Sequence, residues 1–151
     1  MANKRIAFFY AALACVGFIV YGSLIPFEFR YKSLAVAWQF FRHIPYLQLG
    51  VGSRADWIAN LVLYAPFAFL ANAWLAHGAE LFSRRFIRIV LVLATGAALA
   101  VAVEFTQIWF APRTVSLNDI IAEIIGTIVG IALWELAGHR LTDLARKVAA
   151  G

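Results

Sequence analysis

Residues 87–110 read IRIVLVLATGAALAVAVEFTQIWF, and this stretch decides the fold of the chain. A helix that crosses a hydrocarbon core of about 30 Å needs about 20 mainly apolar residues. The stretch is long enough for one complete span and predicts a transmembrane helix. A carboxyl group inside such a run is costly to insert, and charged residues there persist mainly when they are paired or functional. Glu104 is therefore the first residue whose presence needs an explanation.

The composition of the whole chain has the same character. The 151 residues are 64% hydrophobic and 14% charged, and the mean hydropathy is +0.82. Soluble domains are about 45–50% apolar and about 25% charged, and soluble monomers avoid large exposed apolar patches. An ordinary soluble domain and a disordered chain are excluded. With one cysteine, Cys15, a disulfide scaffold and a cysteine-cluster metal site are excluded as well. The length predicts a single domain over residues 1–151.

Three more segments qualify as spans, so the sequence predicts an all-α, four-helix transmembrane bundle. They are residues 6–24, 57–77 and 118–138. The first follows a basic start, as a signal peptide does, but its apolar stretch is longer than a typical signal core, so we interpret it as retained. Residues 33–42, SLAVAWQFFR, place apolar and aromatic side chains at helical spacing beside basic ones. They predict an interfacial helix between spans 1 and 2, with a loop packed over the bundle as the alternative.

The distribution of lysine and arginine predicts the orientation. With the N-terminus in the cytoplasm, eight of the 13 lysines and arginines fall in cytoplasmic segments and five outside. Basic residues concentrate on the cytoplasmic side of membrane proteins, so we expect both termini there. The net charge of +5 is explained by orientation and by anionic lipid headgroups. No nucleic-acid-binding motif occurs, and we expect no nucleic-acid partner.

Polar residues from three spans fall at one shallow depth on the outer side of this topology. Pairs three or four residues apart share one helix face, which directs them toward a common region. The residues are Asp56, Asn60, Glu104, Gln107, Arg113, Ser116, Asp119 and Glu123, of which Arg113 and Ser116 lie in the short loop between spans 3 and 4. Tolerated polar residues scattered at random would not converge in this way. The sequence predicts a polar pocket in which Arg113 pairs with Glu104 or Asp119.

Structural roles are the alternative for several of these residues. Asp56 is a candidate N-cap of the second span, and Ser116, Asn118 or Asp119 is a candidate cap of the fourth. Capping does not explain Glu104 or Glu123, because both lie inside apolar runs. They belong either to a functional pocket or to a hydrogen-bonded structural knot.

Two glycines indicate close helix packing. Gly126 and Gly130 form a small-xxx-small pattern, which lets helix backbones approach closely. We expect this stripe to face the alanine-rich third span near Gly96, Ala97 and Ala100, with a homodimer contact as the alternative.

Other site chemistry has little support in the sequence. His43, His77 and His139 lie in different segments, and no zinc-protease motif, phosphate loop or Ser-His-Asp arrangement occurs. We expect neither a metal site nor a cofactor.

The chain resembles the VanZ-like family of small bacterial membrane proteins. The resemblance rests, in order, on Ser23-Leu24-Ile25-Pro26-Phe27, Asp56 and Asn60, Tyr64-Ala65-Pro66-Phe67, Glu104 and Gln107, Arg113, Ser116 and Asp119, and Gly126 and Gly130. Such proteins commonly have Asn one turn after the Asp of the last span, where this chain has Glu123. The extra carboxyl group means that the charge of the pocket need not follow the family.

The resemblance implies a role in the bacterial cell envelope and a location in the cytoplasmic membrane. The name-giving protein is associated with glycopeptide antibiotic resistance, and no settled enzymatic activity carries over. Three functions follow as alternatives. In the first, the pocket binds an outer-leaflet lipid, a lipid-linked sugar or a glycopeptide-type ligand. Alternatively, the chain is an intramembrane acid/base enzyme that uses Glu104 with Glu123 or Asp119, and Arg113. In the third, it is a structural accessory of a partner membrane protein.

Overall fold

The computed structural model describes residues 2–47, 51–76, 81–138 and 140. These residues form long helices joined by compact connections that contain two very short strands. The elements are α1 (Ala2–Leu24), β1 (Glu28–Phe29), α2 (Leu34–Arg42), α3 (Val51–Leu75), α4 (Phe82–Gln107), β2 (Phe110–Ala111) and α5 (Leu117–Leu133), which continues as a π-helical turn (Trp134–Gly138). The all-α prediction is confirmed, and the strands are the one addition to it.

Four of the helices are long and apolar enough to span a membrane, as predicted. Their spanning segments are Arg5–Leu24, Arg54–Leu75, Phe82–Gln107 and Leu117–Gly138. The chain is a multi-pass membrane protein. The third span ends at Gln107 rather than at residue 110, because the chain leaves the helix there to enter β2. The predicted end of the second span, His77, lies outside the described residues, as does His139.

The centre of the bundle is the contact between α3 and α5. A Cβ atom added to Gly126 would collide with the carbonyl of Leu61, and one added to Gly130 with that of Ala65. The prediction that these glycines face the third span is therefore wrong, because their partner is the second span, α3. A Cβ atom on Gly96 of α4 would instead meet the Thr127 side chain.

Helix geometry explains this error. Gly126 and Thr127 are adjacent in sequence and so lie about 100° apart around α5. Helix α5 presents the glycine face to α3 and the neighbouring face to α4, and a small-residue pattern alone does not say which neighbour lies opposite it.

The segments that follow α1 and α4 meet at one end of the bundle. Strands β1 and β2 pair antiparallel, with Glu28 opposite Ala111 and Phe29 opposite Phe110. We call this end, where α1 and α4 finish and α3 and α5 begin, the cavity end. The pairing joins the connection that follows α1 to the connection that follows α4, and fixes both over the helix ends.

Helix α2 lies beside this strand pair, which confirms a helix within residues 33–42. The Ser33 hydroxyl caps it by accepting the N–H of Val36. Ala37 is fully buried in a small apolar cluster with Ile108, whereas the neighbouring Trp38 is half exposed. The placement of α2 on a membrane surface stays a prediction.

The opposite end of the bundle contains a network of paired charges, here called the Arg88 cluster. Nη1 of Arg88, a residue only 6% exposed, donates to Asn72 Oδ1 at 2.6 Å and to Glu135 Oε1 at 2.7 Å. The other oxygen of Glu135 forms an ion pair with Arg85 Nε at 2.5 Å. The cluster thus links α3, α4 and the end of α5. The sequence indicated these arginines only as markers of orientation.

Candidate functional site

A cavity of about 580 Å³ lies at the cavity end, between α1, α3, α4 and the connection to α5. We call it the polar cavity. Its wall contains most of the polar residues that the sequence placed at one depth. Those that line it are Asp56, Asn60, Glu104, Gln107, Arg113 and Asp119.

Asp119 is held in place by the start of its own helix and by α3. Ser116 is the N-cap of α5, and its hydroxyl accepts the N–H of Asp119 while donating to Asp119 Oδ2 at 2.5 Å. Asn60 Nδ2 donates to Asp119 Oδ1 at 3.0 Å. A carboxylate in the first turn also interacts favourably with the helix dipole. Of the three candidate caps, Ser116 is therefore the one used, and both oxygens of Asp119 have partners.

Glu104 connects α4 to the same cap. Glu104 is 1% exposed, and its Oε2 accepts the backbone N–H of Ser116 at 3.0 Å. Ser116 thereby joins two carboxyl groups, one through its N–H and one through its hydroxyl. Ser116 therefore holds the side chains of Glu104 and Asp119 in the cavity wall, because it has both a backbone N–H and a hydroxyl at this point.

Arg113 does not pair with Glu104 or Asp119, so that prediction is wrong. Its Nε donates to the carbonyl of Ser23 at 2.9 Å, and its Nη2 to that of Gly22 at 3.4 Å. These carbonyls lie in the last turn of α1, where backbone acceptors lack helical partners and attract positive charge. Gln107 Nε2 donates to the same Ser23 oxygen at 2.9 Å. The guanidinium of Arg113 is thus hydrogen-bonded to the end of α1 and not to the acidic side chains of Glu104 and Asp119.

Asp56 lies further toward the cavity mouth. Helix α3 begins at Val51, so Asp56 lies within the helix and is not its N-cap. The side chain is exposed and lines the polar cavity. The structure therefore removes the capping explanation for this residue.

Glu123 lies behind the cavity wall, beside the hydroxyl of Tyr64. Both residues are 1% exposed, and neither lines the cavity. The Tyr64 hydroxyl and the Glu123 carboxyl group interact with each other, but neither Glu123 Oε2 nor the hydroxyl forms a hydrogen bond of good geometry within the described part of the chain. Tyr64 was part of the family-like sequence motif but was not predicted as a site residue. Its position four residues after Asn60, on the same helix face, was an available signal.

The rim of the polar cavity differs from its wall. Phe18 of α1 and Ile25, the residue that follows α1, line the cavity, yet they are 63% and 40% exposed on the outside of the bundle. A polar interior therefore adjoins an apolar surface. The described residues contain no group of three or more His, Cys, Asp or Glu side chains arranged to hold a metal ion.

Comparison with known protein families gives a match over most of the chain. A family model described as VanZ/LLP1 matches residues 6–138. The chain therefore belongs to the VanZ/LLP1 family. Comparison with curated proteins and with solved structures finds no match.

Proposed function

We propose that this member of the VanZ/LLP1 family binds the polar part of a lipid, a lipid-linked sugar or a glycopeptide-type ligand in the polar cavity, in the bacterial cell envelope. The observation that carries this proposal is the junction of a polar wall with an apolar rim at Phe18 and Ile25. An amphiphile meets both surfaces at once. Its headgroup exchanges water for the hydrogen-bonding groups of the wall, and its chain stays against the bundle.

The surroundings of the cavity support a shallow position at the membrane interface. Aromatic residues are enriched at that depth in membrane proteins. Four exposed aromatic side chains surround the cavity end, those of Phe29, Tyr31, Trp38 and Phe40. Headgroups occupy the same depth, so a ligand anchored in the bilayer has access to the cavity without leaving the membrane.

The arginines at the other end support the assignment of the cavity to the outer leaflet. Arg84, Arg85 and Arg88 all lie at the start of α4, and basic residues favour the cytoplasmic side. In a Cys15→Ala background, single cysteines near Arg85 and near Trp38 should therefore be labelled from opposite sides of the membrane. Labelling of the Arg85 site from outside intact cells would place the cavity in the cytoplasmic leaflet.

Arg113 contributes a positive charge to the wall of the proposed site. Its Nε and Nη2 donate to the carbonyls of Ser23 and Gly22, and its Nη1 makes no hydrogen bond with the described residues. A negatively charged group of a bound ligand therefore has one guanidinium nitrogen available to it.

A cavity-filling variant tests the proposal. Gly22 lines the cavity, and a Cβ atom added there meets nothing within 4 Å. Gly22→Phe should fill the cavity while leaving helix packing intact. Gly17→Phe is the matched control, because Gly17 is equally open but does not line the cavity. Native mass spectrometry of the detergent-purified protein should show co-purified amphiphile on the wild type and on Gly17→Phe, and its loss from Gly22→Phe. Equal retention by all three proteins would refute binding in the cavity.

A further inference from the structure

Acidic side chains outnumber basic ones in the lining of the polar cavity. Three carboxyl groups, Asp56, Glu104 and Asp119, face one guanidinium, that of Arg113. Arg113 is already hydrogen-bonded to the end of α1 through two of its nitrogens. Among the described lining residues there is no further Lys, Arg or His. The wall as a whole attracts a cation.

Unused hydrogen-bond acceptors show where a cation would be held. Glu104 is 1% exposed, and its one hydrogen bond among the described residues is accepted by Oε2, which leaves Oε1 free. Asp56 is exposed at the same wall. Asp119 differs, since both of its oxygens accept hydrogen bonds within the protein. Glu104 and Asp56 are therefore the acceptors available to a ligand.

A second observation extends the acidic character behind the wall. The Glu123 carboxyl group is buried behind the wall, with the Tyr64 hydroxyl beside it. Burial of an ionised carboxyl group is costly, and electrostatic attraction to a nearby cation is stronger where the effective dielectric constant is low. A cation in the cavity would lower this cost for Glu104 and Glu123 together.

We infer that the ligand is an ethanolamine phospholipid, whose ammonium group donates N–H bonds to Glu104 and Asp56. This inference rests on the proposed function and names the chemistry of its ligand. The phosphate beside the ammonium meets Arg113, whose Nη1 makes no hydrogen bond with the described residues. The acyl chains lie at the rim formed by Phe18 and Ile25. A volume of about 580 Å³ falls within the range of about 300–1,000 Å³ found for small-molecule sites.

Three lipids with identical acyl chains separate the contributions of charge and N–H donation. Phosphatidylethanolamine has an ammonium with N–H donors, phosphatidylcholine has a cation without them, and phosphatidylglycerol has no cation. Titrated into delipidated protein and measured by native mass spectrometry, phosphatidylethanolamine should bind at least about tenfold more tightly than either of the others. That ratio is the size of effect expected when a charge-assisted hydrogen bond of about 1.5 kcal/mol is lost.

Charge-neutralising variants assign the effect to the cavity. Glu104→Gln keeps an oxygen that accepts the Ser116 N–H, so the protein should fold while the preference for phosphatidylethanolamine falls to near that for phosphatidylcholine. Asp56→Asn, at an exposed position, provides the same test with little demand on folding. Glu28→Gln is the matched control, because Glu28 lies at the same end of the bundle but does not line the cavity. It should bind like the wild type.

The outcomes separate this inference from the proposed function. Equal affinity for all three lipids that is lost in Gly22→Phe would overturn the ethanolamine assignment and leave cavity binding standing. Affinities that are unchanged in Gly22→Phe would overturn both. Free phosphoethanolamine that binds as tightly as the lipid would also overturn the inference, since the apolar rim would then contribute nothing.

Discussion

Buried ionisable groups occur at both ends of this bundle, but they are satisfied in different ways. At the Arg88 cluster, the guanidinium of Arg88 contacts an amide and a carboxylate, and Arg85 completes the pairing of Glu135. At the cavity end, the carboxyl groups of Glu104 and Asp119 receive N–H and O–H bonds from uncharged groups. The polar cavity, of about 580 Å³, lies beside them. The first arrangement is complete within the protein, whereas the second leaves charge and space for a ligand.

The difference teaches that the residue type alone does not separate a structural charge from a functional one. Arg88, with a long side chain and several N–H donors, reaches acceptors on two other elements and completes a network. Glu104 is as deeply buried but contacts a loop N–H and a cavity. Burial marks both residues as costly to the fold, and the partner set decides which of them is available for binding.

Removal of Arg88 should have the largest effect on stability. Arg88→Ala leaves Asn72 Oδ1 without its donor and leaves Glu135 with Arg85 as its remaining charged partner among the described residues. Loss of one partner of a buried charge pair typically costs about 3–5 kcal/mol. We expect a loss of that order in the free energy of unfolding in detergent, followed by thermal or denaturant unfolding. Arg84→Ala, at an exposed position on the same helix, should be nearly neutral. Similar losses in both variants would contradict the assignment of the cluster as the structural end.

The glycines between the two ends should have the next largest effect. In Gly126→Ala and Gly130→Ala, the added methyl group meets carbonyl oxygens of α3, which cannot move aside as a side chain does. Overpacking of this kind costs about 1–3 kcal/mol. Gly17→Ala, which meets nothing within 4 Å, should leave stability unchanged or raise it by up to about 1 kcal/mol through helix propensity. If the two glycine variants on α5 unfold like the wild type, the close contact of α3 with α5 is incorrect.

Double-mutant cycles compare the two ends directly, because they measure the coupling energy between two side chains at each end. The cycle of Arg88→Ala with Glu135→Gln should give a coupling energy of about 0.5–3 kcal/mol, as for residues in one network. The cycle of Arg113→Ala with Glu104→Gln should give a smaller coupling, because Arg113 hydrogen-bonds to the α1 carbonyls and forms no ion pair with Glu104. Unfolding free energies of the single and double variants supply both values. A large coupling at the cavity end would restore the ion pair that the sequence predicted.

The sequence predicted the parts of this fold that depend on side-chain type and spacing. Four apolar runs specify four spanning helices because the bilayer fixes their length and composition. The helical spacing at residues 33–42 indicated α2 in the same way. The convergence of Asn60, Glu104 and Asp119 followed from helix rise and face alone, since three spans carried polar residues at one depth.

The features that the sequence did not predict depend on backbone hydrogen-bonding groups and on which of two neighbouring helices a side chain or face contacts. Arg113 is held by the carbonyls of Gly22 and Ser23, and no residue pattern reports which helix end a loop arginine will reach. Gly126 has two neighbouring helices, and the small-residue stripe did not choose between them. The Arg88 cluster was missed because Arg88 near a span end is adequately explained by orientation.

The smallest expected effect concerns the hydroxyl of Tyr64 behind the cavity wall. Tyr64 is 1% exposed, and its hydroxyl has no hydrogen-bond partner among the described residues. A buried polar group without a partner costs about 1–3 kcal/mol, so replacing it with an apolar group of the same shape is nearly neutral or stabilising. Tyr64→Phe should therefore change the unfolding free energy by no more than about 0.5 kcal/mol, or should raise it. Asn72→Leu makes a comparable polar-to-apolar change at the Arg88 cluster and should be clearly destabilising, because Arg88 loses an acceptor. A loss in Tyr64→Phe as large as that in Asn72→Leu would mean that the hydroxyl is bound, with the adjacent Glu123 carboxyl as its partner, and that the cavity end is as complete as the other.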